Sequence, residues 1–196
     1  MYTGLVVGRG TVSAANSDSE GYLLRIETNG HVHLSPGDSV AVSGICLTAE
    51  RTGNGWFEAF CTETTVEKTA VASYEAGDHV NLEPPLRLGE TLDGHLVRGC
   101  VESTSELLAV DDTGTGWRFR FAIPDGFAGS LVEGGGVTLD GVSLTVASLD
   151  ANSFTVSVVP KTFERTTLQH TGLGDPVNFE PDLVASYVAR QQALAD

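Results

Sequence analysis

Basic residues are scarce in this sequence. Lys and Arg total 11 against 26 Asp and Glu in 196 residues, a formal charge of −15. Duplex nucleic acid and anionic membrane surfaces both reward clustered Lys and Arg, so neither is expected as a partner. The acidic excess fits plain solubility, or adaptation to high salt, where screening relieves the self-repulsion of a crowded surface; composition leaves both open. Long hydrophobic runs are also missing, since no stretch reaches the ~18 apolar residues of a membrane span. The first ten residues carry an arginine but no apolar segment, which does not read as a signal peptide; a cytoplasmic protein is expected. Cysteine is limited to Cys46, Cys61 and Cys100, without CxxC spacing. An odd count of this kind argues against a disulfide framework, and no His/Cys spacing suggests a metal site.

What the sequence does have is glycine, 23 residues of it, with abundant Val, Leu and Thr. That composition suits sheets joined by tight turns. The arrangement is also repetitive. Gly37-Asp38-Ser39-Val40-Ala41-Val42-Ser43-Gly44-Ile45-Cys46-Leu47-Thr48 runs in step with Gly134-Gly135-Gly136-Val137-Thr138-Leu139-Asp140-Gly141-Val142-Ser143-Leu144-Thr145, with residue 37 falling on 134. Asn54 to Thr64 aligns with Asn152 to Thr162 at a shift of one more residue, and Gly77 to Glu83 with Gly174 to Glu180. Nearer the front, Gly4 to Gly8 is set against His95 to Gly99. Matches at four places in one order indicate a tandem duplication, with length changes confined to loops. The copies cover residues 1–87 and 91–182, giving units 1–87 and 88–182 and a tail at 183–196.

Within each copy the pattern has period two. Tyr22 to Glu27 and Trp117 to Phe121 alternate, and Val40–Val42, Leu47–Glu50, Trp56–Phe60 and Val80–Leu82 are brief β-prone runs between turn residues. Strands this short would leave exposed edges in an open sheet, so closure into barrels is expected. Short helical turns are expected near Thr64–Ala70 and Thr162–Leu168. Asp182 is placed to cap a terminal helix whose Leu183, Val184, Tyr187, Val188 and Leu194 form an apolar stripe. So short a helix is marginal alone, and it must pack on its own barrel or on equivalent helices of an oligomer; belonging to neither repeat, it favours the oligomer.

Candidate chemistry divides by position. Cysteines of this kind are usually buried small hydrophobes, but Cys46 aligns with the polar Ser143, which suggests a site in both copies. A lone histidine such as His95 is more often structural. The Pro160 to Thr167 run concentrates basic, acidic and hydroxyl groups, either as a solvated face or as the rim of a polar ligand site.

Several motifs in fixed order then carry a specific resemblance. The start Met1-Tyr2-Thr3-Gly4-Leu5-Val6, the strand Gly44-Ile45-Cys46-Leu47-Thr48, the link Leu86 to Glu90 into Gly94-His95-Leu96-Val97, the segment Leu139 to Val146, the run Thr162 to Leu168, and Val177 to Asp182 leading into Tyr187-Val188 resemble the riboflavin synthase alpha-chain family over essentially the whole chain. The resemblance implies an all-β fold of two similar six-stranded Greek-key barrels in tandem plus a C-terminal helix, assembling as a homotrimer. It implies a transferase without metal or organic cofactor, in which two molecules of 6,7-dimethyl-8-ribityllumazine dismutate to riboflavin and 5-amino-6-ribitylamino-pyrimidinedione by transfer of a four-carbon unit. It further implies that each barrel binds one lumazine and that the active site lies between the first barrel of one subunit and the second barrel of its neighbour. Two facing pockets suit a reaction between two identical molecules.

Carried over by motif, the first pocket is expected to comprise Gly4, Leu5 and Val6, then Cys46, Leu47 and Thr48, then Ala59, Phe60, Cys61, Thr62, Glu63 and Thr64. The second is expected to comprise Gly99, Cys100 and Val101, then Ser143, Leu144 and Thr145, then Ser157, Val158, Val159, Pro160, Lys161 and Thr162. Backbone groups would read the pyrimidine edge, and hydroxyls and acids would hold the ribityl chain. Cys46 resembles the cysteine near the acceptor. Ser143 and Thr145 would assist deprotonation of the donor's C7 methyl group, and Asp182 would orient groups or move protons beside them. Three positions depart from the family: Cys100 stands where a histidine is common, Gly134 where a lysine precedes the Asp-Gly-Val-Ser motif, and Ser43 where asparagine is common. Cys100 is still expected among the catalytic residues, since a thiol in that histidine's place could exchange protons, though less readily than imidazole near neutral pH. The alternative to the enzyme is a noncatalytic lumazine- or flavin-binding protein of the same fold, in which the second-copy motif is usually degraded; here Ser143-Leu144-Thr145 and Glu164 to Thr167 are intact.

Overall fold

A computed structural model describes residues 1–18, 21–192 and 194. Six antiparallel strands, β1 (Gly8–Asp18), β2 (Gly21–Glu27), β3 (Ser39–Val42), β4 (Ile45–Gly53), β5 (Trp56–Cys61) and β6 (His79–Glu83), close a barrel in the order β1-β2-β5-β4-β3-β6. Six more, β7 (Ser103–Asp112), β8 (Trp117–Ala122), β9 (Gly136–Leu139), β10 (Val142–Leu149), β11 (Ser153–Val158) and β12 (Pro176–Pro181), close a second barrel in the same cyclic order. The expected double barrel is therefore present. Closure removes the exposed edges that such short strands would otherwise have. Register shifts recur at equivalent points, Val12/Ala14 with Leu107/Ala109 and Ala49/Arg51 with Val146/Ser148. Bulges of this kind bend strands enough to close a small barrel.

The structure corrects two details of the repeat. Thr69 and Thr166 both donate to the carbonyl four residues back, of Thr65 and Thr162. Thr162 therefore corresponds to Thr65, not Thr64, and Cys61 to Val158. At the front, the backbone N–H groups of Thr3 and Gly4 reach Glu83, while those of Arg98 and Cys100 reach Glu180. Thr3 thus corresponds to Arg98 and Gly4 to Gly99. The sequence match of Gly4 with His95 fails because it paired a glycine in a site loop with a residue of the linker.

The two cores differ in character. Barrel one is filled by aliphatic side chains around Phe57, including Val12, Leu24, Ile26 and Leu82. Barrel two stacks Phe119 on Phe121 and Phe121 on Phe154, with centroids 6.1 and 5.8 Å apart, and sets Phe179 tilted at 60° against Phe154 at 6.1 Å. Between the barrels, buried Asn81 and Asn178 act as reciprocal clasps. Asn81 Nδ2 donates to the Asp140 carbonyl (2.8 Å) and Thr167 Oγ1 (2.9 Å), and its Oδ1 accepts from Thr167 N (2.9 Å). Asn178 Nδ2 donates to the Ser43 carbonyl (2.9 Å), and its Oδ1 accepts from Ala70 N (2.7 Å). Each side-chain amide is satisfied at both ends, which is what makes burying it tolerable. The β3–β4 and β9–β10 turns, Ser43-Gly44 and Asp140-Gly141, have positive φ at both residues and meet back to back. A Cβ on Gly44 would lie 2.8 Å from Gly141 N, and one on Gly141 would lie 2.6 Å from Gly44 N. Only glycine permits that approach.

Short helices α1 (Glu63–Lys68) and α2 (Pro160–Arg165) follow β5 and β11. Stacking of Trp117 on Phe163, with centroids 3.8 Å apart, fixes α2 over the end of barrel two. The terminal helix α3 (Leu183–Gln192) is capped by Asp182, whose Oδ1 accepts from Val184 N at 2.7 Å. Ser186 Oγ donates to Glu102 Oε1 at 3.2 Å, tying α3 to its own chain, yet Val184 and Tyr187 stay about two-thirds exposed at 68% and 67%. Residues 193, 195 and 196 of the expected tail lie outside the described residues. Among the described residues, no helix is long and apolar enough to cross a membrane.

Candidate active site

β10 alternates, so Leu144 packs into the core of barrel two while Ser143 and Thr145 face outward together. Opposite them on β9 stand Thr138, paired with Ser143, and Gly136, paired with Thr145. His95 lies across this patch. Its Nδ1 is 2.7 Å from Ser143 Oγ, and its Nε2 is 3.1 Å from Thr138 Oγ1. With the ring proton on Nε2, the ring donates to Thr138 and accepts from the Ser143 hydroxyl. Burial pushes the imidazole pKa down, and the Asp182 carboxylate acts against that shift. A Cβ on Gly136 would lie 3.2 Å from His95 Cγ and 3.4 Å from Asp182 Oδ2, so the absence of a side chain there lets acid and imidazole come over the strand. Asp182, His95 and Ser143 thus gather at one strand end as carboxylate, imidazole and hydroxyl, the parts of a proton-transfer chain. His95, which the sequence left as more often structural, is brought by the fold against Ser143 and Thr138. Its position relative to Ser143 was not legible, because 48 residues separate the two.

The first-copy counterpart of Ser143 is Cys46, exposed on β4 with Leu47 turned inward and Thr48 outward. Tyr2 Oη donates to Cys46 Sγ at 3.1 Å. Burial, followed by that bond and by the charges of Cys46, Glu83 and Cys100, holds the phenol well above its usual pKa, so it stays a donor.

The grouping of segments is the main correction. Ser143 N donates to the Gly4 carbonyl at 2.8 Å, and Cys46 N donates to the Gly99 carbonyl at 2.9 Å. Gly4, Leu5 and Val6 therefore belong with Ser143, and Gly99, Cys100 and Val101 with Cys46; each site is completed by the leading segment of the other copy. Val101 packs into the core of barrel one and Val6 against that of barrel two. The reason is the antiparallel bridge between Tyr2 and Val97, N–H to carbonyl at 2.7 and 3.1 Å, which pairs the two leading segments with each other before they enter their barrels. Each glycine is required where it sits. Gly4 has φ +73° and Gly99 φ +76°, and a Cβ would fall 2.5 Å from Ser143 Cβ or 2.9 Å from Cys46 Cβ. Buried Glu83 and Glu180 hold the loops by accepting the N–H groups of Thr3 and Gly4, and of Arg98 and Cys100.

A cavity of about 320 Å³ lies between Gly4, Leu5 and Val6 on one side and Ser143, Lys161, Thr162 and Arg165 on the other. Arg165 reaches across to donate to the Val7 carbonyl at 3.1 Å. Two cations in so acidic a chain give this cavity a local positive character. At the equivalent positions α1 carries Thr64, Thr65 and Lys68.

The remaining expected residues separate by side-chain direction. Ala59 and Cys61 are fully buried in the core of barrel one, and burial pushes the Cys61 thiol up to about 12; Val156 and Val158 are their counterparts in the core of barrel two. Thr62 caps α1 by accepting from Thr65 N, and Glu63 and Thr64 are exposed on that helix. Phe60 turns the other way, over Gly21. Val159 and Pro160 are exposed at the start of α2. Ser157, exposed opposite buried Val158, lines an outer groove beside Arg118 and Arg120 and not the cavity. Cys100 is exposed, with its thiol pushed up by burial and by Glu180 while Arg98 opposes the shift.

A family model described as the lumazine binding domain matches the chain twice, over residues 3–84 and 98–182. Riboflavin synthase of Brucella abortus (strain 2308) is 38% identical over 196 residues, 97% of each chain, and that of Mycobacterium bovis is 37% identical over 201 residues, again 97% of each. Among solved structures, LumP complexed with riboflavin superimposes with a TM-score of 0.84 at 18% identity, over 92% of this chain and 99% of the other, and its complex with 6,7-dimethyl-8-(1'-D-ribityl) lumazine with 0.82 at 17%, over the same shares. Two matched domains, relatives aligned nearly end to end and the same double barrel agree, and the chain belongs to the riboflavin synthase family of tandem lumazine-binding barrels.

Proposed function

We propose that the protein is a riboflavin synthase, a transferase that dismutates two molecules of 6,7-dimethyl-8-ribityllumazine into riboflavin and 5-amino-6-ribitylamino-pyrimidinedione. The observation that carries this reading is the inequality of two otherwise equivalent sites: a thiol at Cys46 and a hydroxyl held by imidazole at Ser143. A reaction in which identical molecules take different roles needs such a difference.

In this reading the second-barrel site binds the donor. Deprotonating its C7 methyl group calls for a base and for stabilisation of the anion that results. Ser143, kept in line with neutral His95, takes part in proton removal, Thr145 assists from the same face of β10, and Asp182 steadies the imidazole as it gains charge. Lys161 and Arg165 hold polar edges of the ligand. The first-barrel site binds the acceptor, with Cys46 beside the ring position that is attacked and the backbone of Gly99 to Val101 closing over it. Productive alignment of donor and acceptor comes from a neighbouring subunit, with the first barrel of one chain facing the second barrel of the next. The exposed Val184, Tyr187 and Val188 of α3 supply the contact of the homotrimer.

The test is incubation of the purified protein with 6,7-dimethyl-8-ribityllumazine, without added metal, at several salt concentrations. One riboflavin is expected for every two lumazines consumed. A lumazine spectrum perturbed by binding yet unchanged over hours would overturn the enzyme reading in favour of a noncatalytic binding protein.

A further inference from the structure

The thiol of Cys46 and the hydroxyl of Ser143 sit at equivalent strand positions, but their polar partners are not equivalent. Ser143 takes its partner from His95. Cys46 takes its partner from Tyr2, whose counterpart across the leading-segment bridge is Val97, a residue with no polar side-chain atom. The contact is therefore a feature of the thiol site alone.

We propose that Tyr2 is a positioning residue that holds and activates the Cys46 sulfur. Tyr2 is fully buried against Ala41 and Val97, and its backbone is pinned in both directions by the bridge to Val97. A wholly buried hydroxyl without a partner is costly, and the sulfur 3.1 Å away is the partner that satisfies this one. The ring has no room to swing aside, because the close-packed Gly99 backbone abuts it: a Cβ on Gly99 would stand 2.7 Å from Tyr2 Cε2. The sulfur is thus held as an acceptor toward Tyr2, while Cys46 stays exposed and open to a ligand. An O–H donor at this distance stabilises negative charge on sulfur, the form in which a thiol reacts or accepts a proton. With burial holding its own proton in place, the phenol orients and polarises Cys46 without exchanging protons itself.

The inference rests on Cys46 being the acceptor-side thiol of the proposed reaction, and the experiment separates the two. Tyr2→Phe keeps the ring and removes only the donor. Alkylation of Cys46 by iodoacetamide, resolved from Cys61 and Cys100 by peptide mass spectrometry, is expected to slow by about tenfold, the size of one hydrogen bond, with Cys100 alkylating as before. In the lumazine assay kcat is expected to fall by a similar factor with KM little changed, and the pH profile of kcat to shift. Tyr2→Leu serves as a second variant: a comparable slowing there ties the effect to the missing hydroxyl, and unfolding by heat confirms that both variants are folded. Equal Cys46 alkylation in wild type and folded Tyr2→Phe would overturn the proposal whether or not riboflavin is formed. Slowed Cys46 alkylation in a protein that forms no riboflavin would uphold the Tyr2 contact and instead retire the catalytic reading.

Discussion

The two barrels share a cyclic strand order, paired bulges, reciprocal asparagine clasps and a glutamate that gathers two backbone N–H groups, yet they part company at one outward-facing position of β4 and β10. In barrel one that position is a thiol supported by a phenol; in barrel two it is a hydroxyl supported by an imidazole and, behind it, a carboxylate. The scaffold is duplicated and the chemistry is not. Because the leading segment of each copy closes over the site of the other, neither barrel carries a complete site, which is a physical reason for the copies to remain in one chain.

The most direct way to break this comparison is to equalise the sites. Ser143→Ala is expected to lower riboflavin formation by about a hundredfold, and His95→Ala by nearly as much, since the two act as one unit. Cys46→Ala is expected to lower turnover far more than it lowers the thermal midpoint; full activity in that variant would remove the acceptor-side assignment. The next effect is on stability. Gly44→Ala and Gly141→Ala each place a methyl group against backbone at positive φ, and each is expected to cost roughly 3 kcal/mol in urea unfolding, equally for the two barrels. Unequal losses would show that the barrel contact is less symmetric than its geometry. Removal of residues 184–196 is expected to turn a trimer into monomers by sedimentation, with both barrels still folded; an unchanged trimer would refute the role given to α3.

The smallest effect sharpens the comparison at Ser43 and Asp140, which occupy equivalent turn positions. Burial pushes the Asp140 carboxyl up to about 7 against the pull of its bonds from Asn178. The folded protein holds this proton more tightly than the unfolded chain does, so this group lowers stability as pH rises from the ordinary aspartate range to about 7. Asp140→Asn is expected to flatten that part of a thermal-midpoint profile, and Ser43→Ala to leave its slope unchanged.

Much of the fold was legible because its signals are local. Period-two alternation in Tyr22 to Glu27 and Trp117 to Phe121, and the Ser43-Gly44 and Asp140-Gly141 turns, mark strands and hairpins from a few neighbouring residues. The site was legible only in part. Cys46, Ser143, Thr145 and Asp182 were expected from motifs, and the structure gathers Ser143 and Asp182 around one strand end through His95. The meeting of His95 with Ser143 and the place of Ser157 beside Arg118 and Arg120 were not legible, because nothing in a local pattern says which residue a linker histidine will meet, or which groove an outward strand position will line.

The sequence by itself determined the duplication, the short alternating strands that must close to hide their edges, and the residue types at the paired positions. Only the tertiary structure decided that Gly4 meets Ser143 and Gly99 meets Cys46, that His95 rather than a repeat-equivalent group supports the hydroxyl, and that Tyr2 supports the thiol. The physical reason is sequence separation. Turn chemistry and side-chain period act over a few residues, whereas these contacts join segments tens of residues or more apart, and they are settled by how the two leading segments pair across the barrels when both close.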